Sequence, residues 1–406
     1  MICPVCDETR FAYQFAVRGR QAVRCQGCGC VALQEPATCA ARPFPEADTR
    51  YMEALRKRGF RGGPVLRSAD AGVATAAFDA AVLLSQLQTE PSPGELLARA
   101  HEALRPAAPI LLTVAGAASD PQPDDRWCFD ETTIRLLLLR HGFRNILVNR
   151  ERRELIVSAV QAPQPARPKC SIIVAAFNES KTFPILMDAL LKKEIAGVDR
   201  EIIVVESNST DGTRALAEQY LAHPDVRLVL QERPRGKGHA IREAFQHATG
   251  DVVLIQDADL EYDLDDYDAL LSPILSHRAL FVLGTRHSGD WKIRHFAQQK
   301  GLAATLNFGH AFFTGLINVL YRQHMTDPFT MFKVFRRDCL YGLEFHCNRF
   351  DFDHELVIKL VRKGYRPLEI PVNYTSRTFR EGKKVRLFRD PLTWLWVDLK
   401  LRFTRV

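Results

Sequence analysis

From Cys170 onward the chain alternates short apolar runs with longer helical segments, and this alternation limits its possible folds more than any other feature. Strands are expected over Cys170–Ala176, Glu201–Glu206, Val226–Gln231 and Asp251–Gln256, with helices starting from Glu179, Asp211 and Lys237. Strands that alternate with helices in this way predict an α/β fold, a mostly parallel sheet with helices on both faces. Ligands of such sheets bind at the carboxyl ends of the strands. Every polar motif of this half falls at such an end. Phe177-Asn178-Glu179 follows the first strand, Glu206 to Thr213 the second, Arg235-Gly236-Lys237-Gly238 the third and Asp257-Ala258-Asp259 the fourth. Taken singly, each is explained as a helix cap or a turn. Their shared placement argues for one ligand site.

At 406 residues, with 46% apolar and 25% charged side chains, the chain has the balance of a globular protein of two or three domains. The best boundary is Gln161 to Pro168, where three prolines stand among small and polar residues. Near the start, Cys3-Pro4-Val5-Cys6 and Cys25-Gln26-Gly27-Cys28 form two C-x-x-C pairs at the spacing of a four-thiolate zinc site. With Cys3, Cys6, Cys25 and Cys28 all as ligands, the Zn²⁺ is expected to be structural, because no position stays open for substrate. The expected organisation is a zinc ribbon over 1–35, a small α/β domain over 36–161, a linker over 162–169 and the large α/β domain over 170–406.

Within the small domain, Phe78 to Leu84 reads as a strand, the segment through Leu96, Leu97, Ala100 and Leu104 as a helix, and Ile110 to Val114 as a second strand. A helix from Phe129 to Leu139 capped by Asp130 and two strand-like runs, Asn145 to Asn149 and Glu154 to Val160, complete it. This order resembles the second half of a class I methyltransferase, over about residues 70 to 160. The glycine-rich turn that such enzymes use to hold S-adenosylmethionine is missing between Val31 and Ala77, and Arg105-Pro106-Ala107-Ala108 replaces the usual proline-glycine-glycine. The expectation is a truncated, inactive relative; an unrelated small α/β domain, and an active methyltransferase joined to a second enzyme in the large domain, are the other readings.

The large domain carries, in order, "SIIVAAFNES", "EIIVVESNSTDGT", "RGKGHAIREAF", "GDVVLIQDADLEYD", "LGTRH", "TDPFTMFKVFRRD", "FDFDHELVIKLVRKGYRPLEIPVNY" and "SRTFREGKKVRLFRDP". These resemble glycosyltransferase family 2, inverting nucleotide-sugar enzymes of GT-A fold, and within it the branch near dolichol- and polyprenol-phosphate sugar synthases. The resemblance implies a nucleotide-sugar donor, with Ala175, Phe177 and Glu179 lining base and ribose. It also places Glu206 and Asp211 beside the second loop, and Gly236 and Lys237 near base or phosphate. Asp257 and Asp259, helped by Glu261, are implied to hold Mg²⁺ or Mn²⁺, whose Lewis acidity neutralises a leaving diphosphate. Arg286 and Arg377 match phosphate-binding arginines, and Lys383 lies in a basic loop beside the site. The usual paired aspartates at the second strand end are Glu206-Ser207 here, which leaves the base open. For a catalytic base, Asp327 is preferred over Asp351, Asp353 and Glu355.

The net charge is +7, and much of the excess gathers between Lys363 and Arg389, as a local face for phosphates or anionic headgroups. A nucleic-acid partner is not expected. Gly301 to Tyr321 holds no charged residue, yet Asn307, His310 and Asn318 interrupt it, so it reads as an amphipathic helix and not a span. The opening residues show no basic region followed by an apolar run, so the expectation is a cytoplasmic protein, peripheral on the inner face of the membrane. The acceptor is expected to be a polyprenyl phosphate, with a sugar hydroxyl of a surface glycan as the alternative.

Overall fold

The computed structural model describes residues 2–7, 9–17, 20–28, 30–33, 49–62, 64–67, 76–84, 86–115, 126–151, 154–162, 167–287, 300–376 and 389–404. Arg377 and Lys383 lie outside them. The chain forms two compact units, residues 1–165 with 276–279, and residues 166–275 with 280–406.

In the first unit, Phe11–Val17, Arg20–Cys25, Val31–Leu33 and Trp127–Cys128 form an antiparallel sheet in that order. Because Trp127–Cys128 pairs with Val31–Ala32, the sheet crosses the expected boundary at residue 35. A second sheet has the order Val65–Leu66, Ala80–Leu84, Pro109–Ala115, Glu154–Gln161, Phe143–Glu151. Its first three strands run parallel and the last two alternate in direction. The helix expected from Phe129 is Glu131–Arg140, and Asp130 caps it by accepting from Thr133 N at 2.8 Å. Tyr51 and Leu55 of the helix Thr49–Lys57 pack with Phe60, Val82, Leu111 and Ile156. Sequence reading missed both this helix and Val65–Leu66, whose two residues are too few to show a period.

The second unit is built on a seven-stranded sheet. Its order is Val226–Leu230, Asp199–Glu206, Lys169–Ala176, Val252–Asp257, Lys333–Arg336, Phe281–Thr285, Pro367–Pro371. The first four strands are parallel, as expected. Ile172, Ile173, Val174, Ile202 to Val205 and Val252 to Ile255 are almost wholly buried, the pattern of strands covered on both faces. Lys333–Arg336 runs against both its neighbours, and Phe281–Thr285 pairs in parallel with Pro367–Pro371. The uncharged stretch forms the helix Lys300–Tyr321, and among the described residues no helix is long and apolar enough to cross a membrane.

Two glycines fix how the third loop meets the helix Asp351–Arg362. Gly236 has φ +102°, a left-handed backbone, and a Cβ there would lie 2.4 Å from Asn348 O. A Cβ on Gly238 would lie 2.4 Å from Phe352 Cβ and 2.9 Å from Arg349 O and Cys347 O. Gly238→Ala is therefore expected to cost about 1–3 kcal/mol by overpacking. A denaturant midpoint equal to wild type would contradict this.

Candidate functional site

The ends of the first four strands open into one cavity of about 910 Å³. Of the residues singled out in the sequence, Ala175, Phe177, Glu179, Gly236 and Lys237 line it, together with Asp257, Asp259, Glu261 and Arg286. They come from four separate loops, brought together because parallel strands end on the same edge of the sheet.

Glu206 and Asp211 serve instead to tie the first two loops to each other. Glu206 is fully buried and accepts from Asn208 N, Ser209 N and Arg214 Nε, the last at 2.6 Å. Burial pushes its carboxyl up, but the bonds from Ser209 and Arg214 outweigh this and hold it below the usual glutamate range. Asp211 accepts from Ser180 N at 3.0 Å and Thr213 Oγ1 at 2.6 Å, while Asn178 N donates to Ser209 Oγ at 2.9 Å. Ser207, next to Glu206, is the residue of this loop that reaches the cavity wall.

On the floor, Lys237 Nζ lies 2.5 Å from Asp257 Oδ1 and donates to Met331 Sδ at 2.9 Å. Burial works against the Lys237 charge, yet Asp257 and Asp353 beside it keep the ammonium above the usual lysine range. Asp353, which also lines the cavity, bonds the fully buried Lys333 at 3.0 Å. Asp259 Oδ1 accepts from Glu261 N at 3.2 Å, and Glu261 Oε2 accepts from Tyr374 OH at 2.8 Å. The hard carboxylate oxygens of Asp257 and Asp259 suit a small divalent cation. Glu261, which accepts from Tyr374, lines the same cavity as Asp257 and Asp259.

Asp327, expected as a base, is fully buried and does not reach the cavity wall. Its two oxygens accept a fork from Arg286, Nε at 2.7 Å and Nη2 at 2.8 Å, and Oδ1 also accepts from His310 Nε2 at 3.0 Å. Burial raises its carboxyl, but the Arg286 charge and bonds, with His310, hold it well below the ordinary value. A carboxylate so fully bonded has little affinity for a further proton. Asp327 thus positions Arg286, whose guanidinium also lies 5.2 Å over the Tyr374 ring, and His310; both line the cavity.

The far wall was not legible in the sequence. The His354 ring stacks on Phe329 at 4.3 Å and on Trp394 at 5.3 Å, and its Nδ1 lies 2.8 Å from Oδ1 of the fully buried Asp398. His354 and Asp398 are far apart in the chain, on the helices Asp351–Arg362 and Arg389–Phe403, so no local spacing announces the pair. In the other unit, ligand atoms of Cys3, Cys6, Cys25 and Cys28 all lie within 4.8 Å of one another, with Cys3 Sγ 3.5 Å from Cys28 Sγ and Cys6 Sγ 3.5 Å from Cys25 Sγ. This is the single such cluster among the described residues.

The Asp327 fork yields a stability prediction. Asp327 must be ionised to accept from Arg286, so its contribution is complete above the unfolded value near 3.8 and is lost only as pH falls through its much lower folded value. Asp327→Asn is expected to cost about 3–5 kcal/mol at neutral pH, the range for breaking a buried ion pair. An unchanged urea midpoint would refute this.

Residues 171–343 match the family described as Glycosyl transferase family 2. The chain is 25% identical over 258 residues to Glycosyltransferase AglD of Haloferax volcanii, which covers 60% of this chain and 40% of that protein. It is 28% identical over 225 residues to Dolichyl-phosphate beta-glucosyltransferase ALG5C of Trichomonas vaginalis, covering 52% of this chain and 65% of that one. With Dolichol-phosphate mannosyltransferase of Pyrococcus furiosus the identity is 24% over 215 residues, covering 53% and 59%. The chain thus spans less than two thirds of the length of these three relatives. Among solved structures, glucosyl-3-phosphoglycerate synthase from Mycobacterium tuberculosis with Mn²⁺ and UDP is similar at TM-score 0.41 and 20% identity, over 59% of this chain and 81% of that one. Mannosyl-3-phosphoglycerate synthase from Rubrobacter xylanophilus is similar at TM-score 0.43 and 19% identity, over 59% and 77%. Residues 171–343 are thus the part of the chain that is similar to glycosyl transferase family 2, and two of the relatives that match this half are named for sugar transfer involving dolichyl or dolichol phosphate.

Proposed function

We propose that the second unit moves one sugar, with inversion, from a nucleotide-sugar donor to a polyprenyl phosphate. The observation that carries this reading is the convergence of Phe177, Ser207, Lys237, Asp257, Asp259 and Arg286 on one cavity at the strand ends. The loops of Phe177 and Ser207 are assigned to the nucleoside, with Glu206 and Asp211 keeping them in register. Mg²⁺ or Mn²⁺ held by Asp257 and Asp259 would supply Lewis-acid neutralisation of the leaving diphosphate. Lys237 and Arg286 add fixed positive charge beside it.

A lipid-borne acceptor is favoured by the surface around the cavity mouth. The helices Lys300–Tyr321 and Arg389–Phe403 both contribute to the cavity wall, and both expose large apolar side chains, Phe308, Phe312 and Val319 on one, Leu392, Trp396 and Phe403 on the other. Paired helices with such faces suit the headgroup region of a bilayer. The names of two of the relatives, which act on dolichyl or dolichol phosphate, agree with this acceptor class. Arg377 keeps the role that the resemblance implies, as an acceptor- or donor-phosphate ligand, and Lys383 its place in the basic loop over the site.

The test is turnover with UDP-glucose and GDP-mannose, Mn²⁺, and either a short polyprenyl phosphate or a neutral glycan. Transfer to the polyprenyl phosphate is expected, and Asp259→Asn should lower it on the order of a hundredfold or more without loss of fold. Transfer to the glycan alone would replace the lipid reading, and full activity of Asp259→Asn would remove the metal assignment.

For the first unit, the proposed ligand of the cysteine cluster is one structural Zn²⁺. Four soft thiolates at this mutual distance fit a tetrahedral ion. Protein purified without chelator is expected to carry one zinc per chain, and Cys25→Ser should lose the metal and lower the unfolding temperature. Metal analysis that finds no zinc in wild type would reject it.

A further inference from the structure

We infer that His354, held by Asp398, is the residue that takes the proton from the acceptor oxygen. The inference rests on the proposed transferase reading and adds a catalytic group that neither the motifs nor the relatives assign. Three observations carry it. First, the imidazole lines the donor cavity although the residue is 3% exposed, so it faces that space and not the bulk solvent. Second, its orientation is fixed on both faces by Phe329 and Trp394 and at the edge by Phe313, 5.7 Å away and nearly perpendicular. Third, the Asp398 carboxylate, fully buried, meets Nδ1 at 2.8 Å. A carboxylate accepts from Nδ1–H, and that choice of tautomer leaves the lone pair on Nε2, the nitrogen free to receive a proton.

The other acids near the acceptor end are less suited to this task. Asp327 is saturated by Arg286 and His310, and Asp353 is bonded to the ammonium of Lys333 at 3.0 Å. Asp353 and His354 are consecutive, and Asp353 acts on Lys237, which touches Asp257. The imidazole is therefore tied to the diphosphate end of the cavity through the adjacent residue of its own helix. Asp398 Oδ2 has no hydrogen-bond partner among the described residues, so the carboxylate is directed to the imidazole alone and offsets the charge that the ring gains on protonation.

In the step, the O–H bond of the acceptor, a phosphate monoanion or a sugar hydroxyl, breaks and its proton passes to His354 Nε2. The oxygen's electron pair forms the bond to the anomeric carbon. The bond from that carbon to the diphosphate oxygen breaks, and its pair leaves with the nucleoside diphosphate. Asp398 is a positioning residue: it selects the tautomer and touches no substrate.

The test uses the full chain with Mn²⁺, UDP-glucose or GDP-mannose, and three acceptors: a short polyprenyl phosphate, a neutral glycan, and water, read as donor hydrolysis. His354→Gln should lower kcat a hundredfold or more, with whichever acceptor wild type uses, while the donor KM stays within about twofold. His354→Gly should regain turnover when imidazole is added to the solution, which a purely structural role would not produce. Asp398→Asn, folded as judged by nucleotide binding in a calorimeter, should lower kcat at constant donor KM. Wild-type kcat in His354→Gln, or no response of His354→Gly to imidazole, overturns the inference and leaves the transferase reading standing. A wild type that uses the glycan and not the lipid, with the same dependence on His354, overturns the lipid acceptor and keeps the inference. A wild type inert toward all three acceptors overturns both.

Discussion

A carboxylate with no access to water must find all its partners within the chain, and Asp327 shows how far that requirement reaches. It takes the fork of Arg286 from the end of the strand Phe281–Thr285 and the Nε2 of His310 from the middle of the helix Lys300–Tyr321. Glu369, from the edge strand Pro367–Pro371, accepts in turn from the backbone of Asp327 at 2.8 Å. Two segments distant in sequence are thereby fixed to one buried charge, and a third to the backbone that carries it. The cation and the imidazole that it holds form part of the cavity wall, and the aromatic wall continues from His310 through Phe329 to His354. Losing the charge would loosen the wall from its centre, because each partner would then be a buried donor without an acceptor.

How much of this was legible in the sequence follows from how local each signal is. The parallel half of the sheet could be read because runs such as Ser171 to Ala176 and Glu201 to Glu206 are apolar on both faces and end in polar loops. The loops of Phe177, Lys237 and Asp257 were found for the same reason, since each carries its chemistry within a few residues of a strand end. Lys333–Arg336, which inserts antiparallel between two strands of the opposite sense, has only four residues and gives no such signal.

Side-chain roles were less legible than side-chain positions. Glu206, Asp211 and Asp327 were all singled out, yet each spends its oxygens on the protein itself. A sequence shows that a carboxylate stands near a strand end, but whether it faces a ligand or a neighbouring loop depends on burial, which is a property of the whole packing. The pair of His354 and Asp398 is the opposite case. Forty-four residues separate them, and only the crossing of two helices brings them together.

The close approach at Gly236 and Gly238 bears on the precision of the floor. On the glycine side no side chain separates the start of the helix Lys237–His247 from the segment Asn348–Phe352, so its main chain rests on the carbonyls of Cys347, Asn348 and Arg349 and on Phe352 Cβ. That side of the contact has no rotamers through which the gap could widen. The spacing between the loop bearing Lys237 and the helix bearing Asp353 and His354 therefore inherits the stiffness of the backbone. Placing a flexible ammonium in such a frame confines its freedom to the last few methylenes, and its anchor point is held to the tolerance of the sheet.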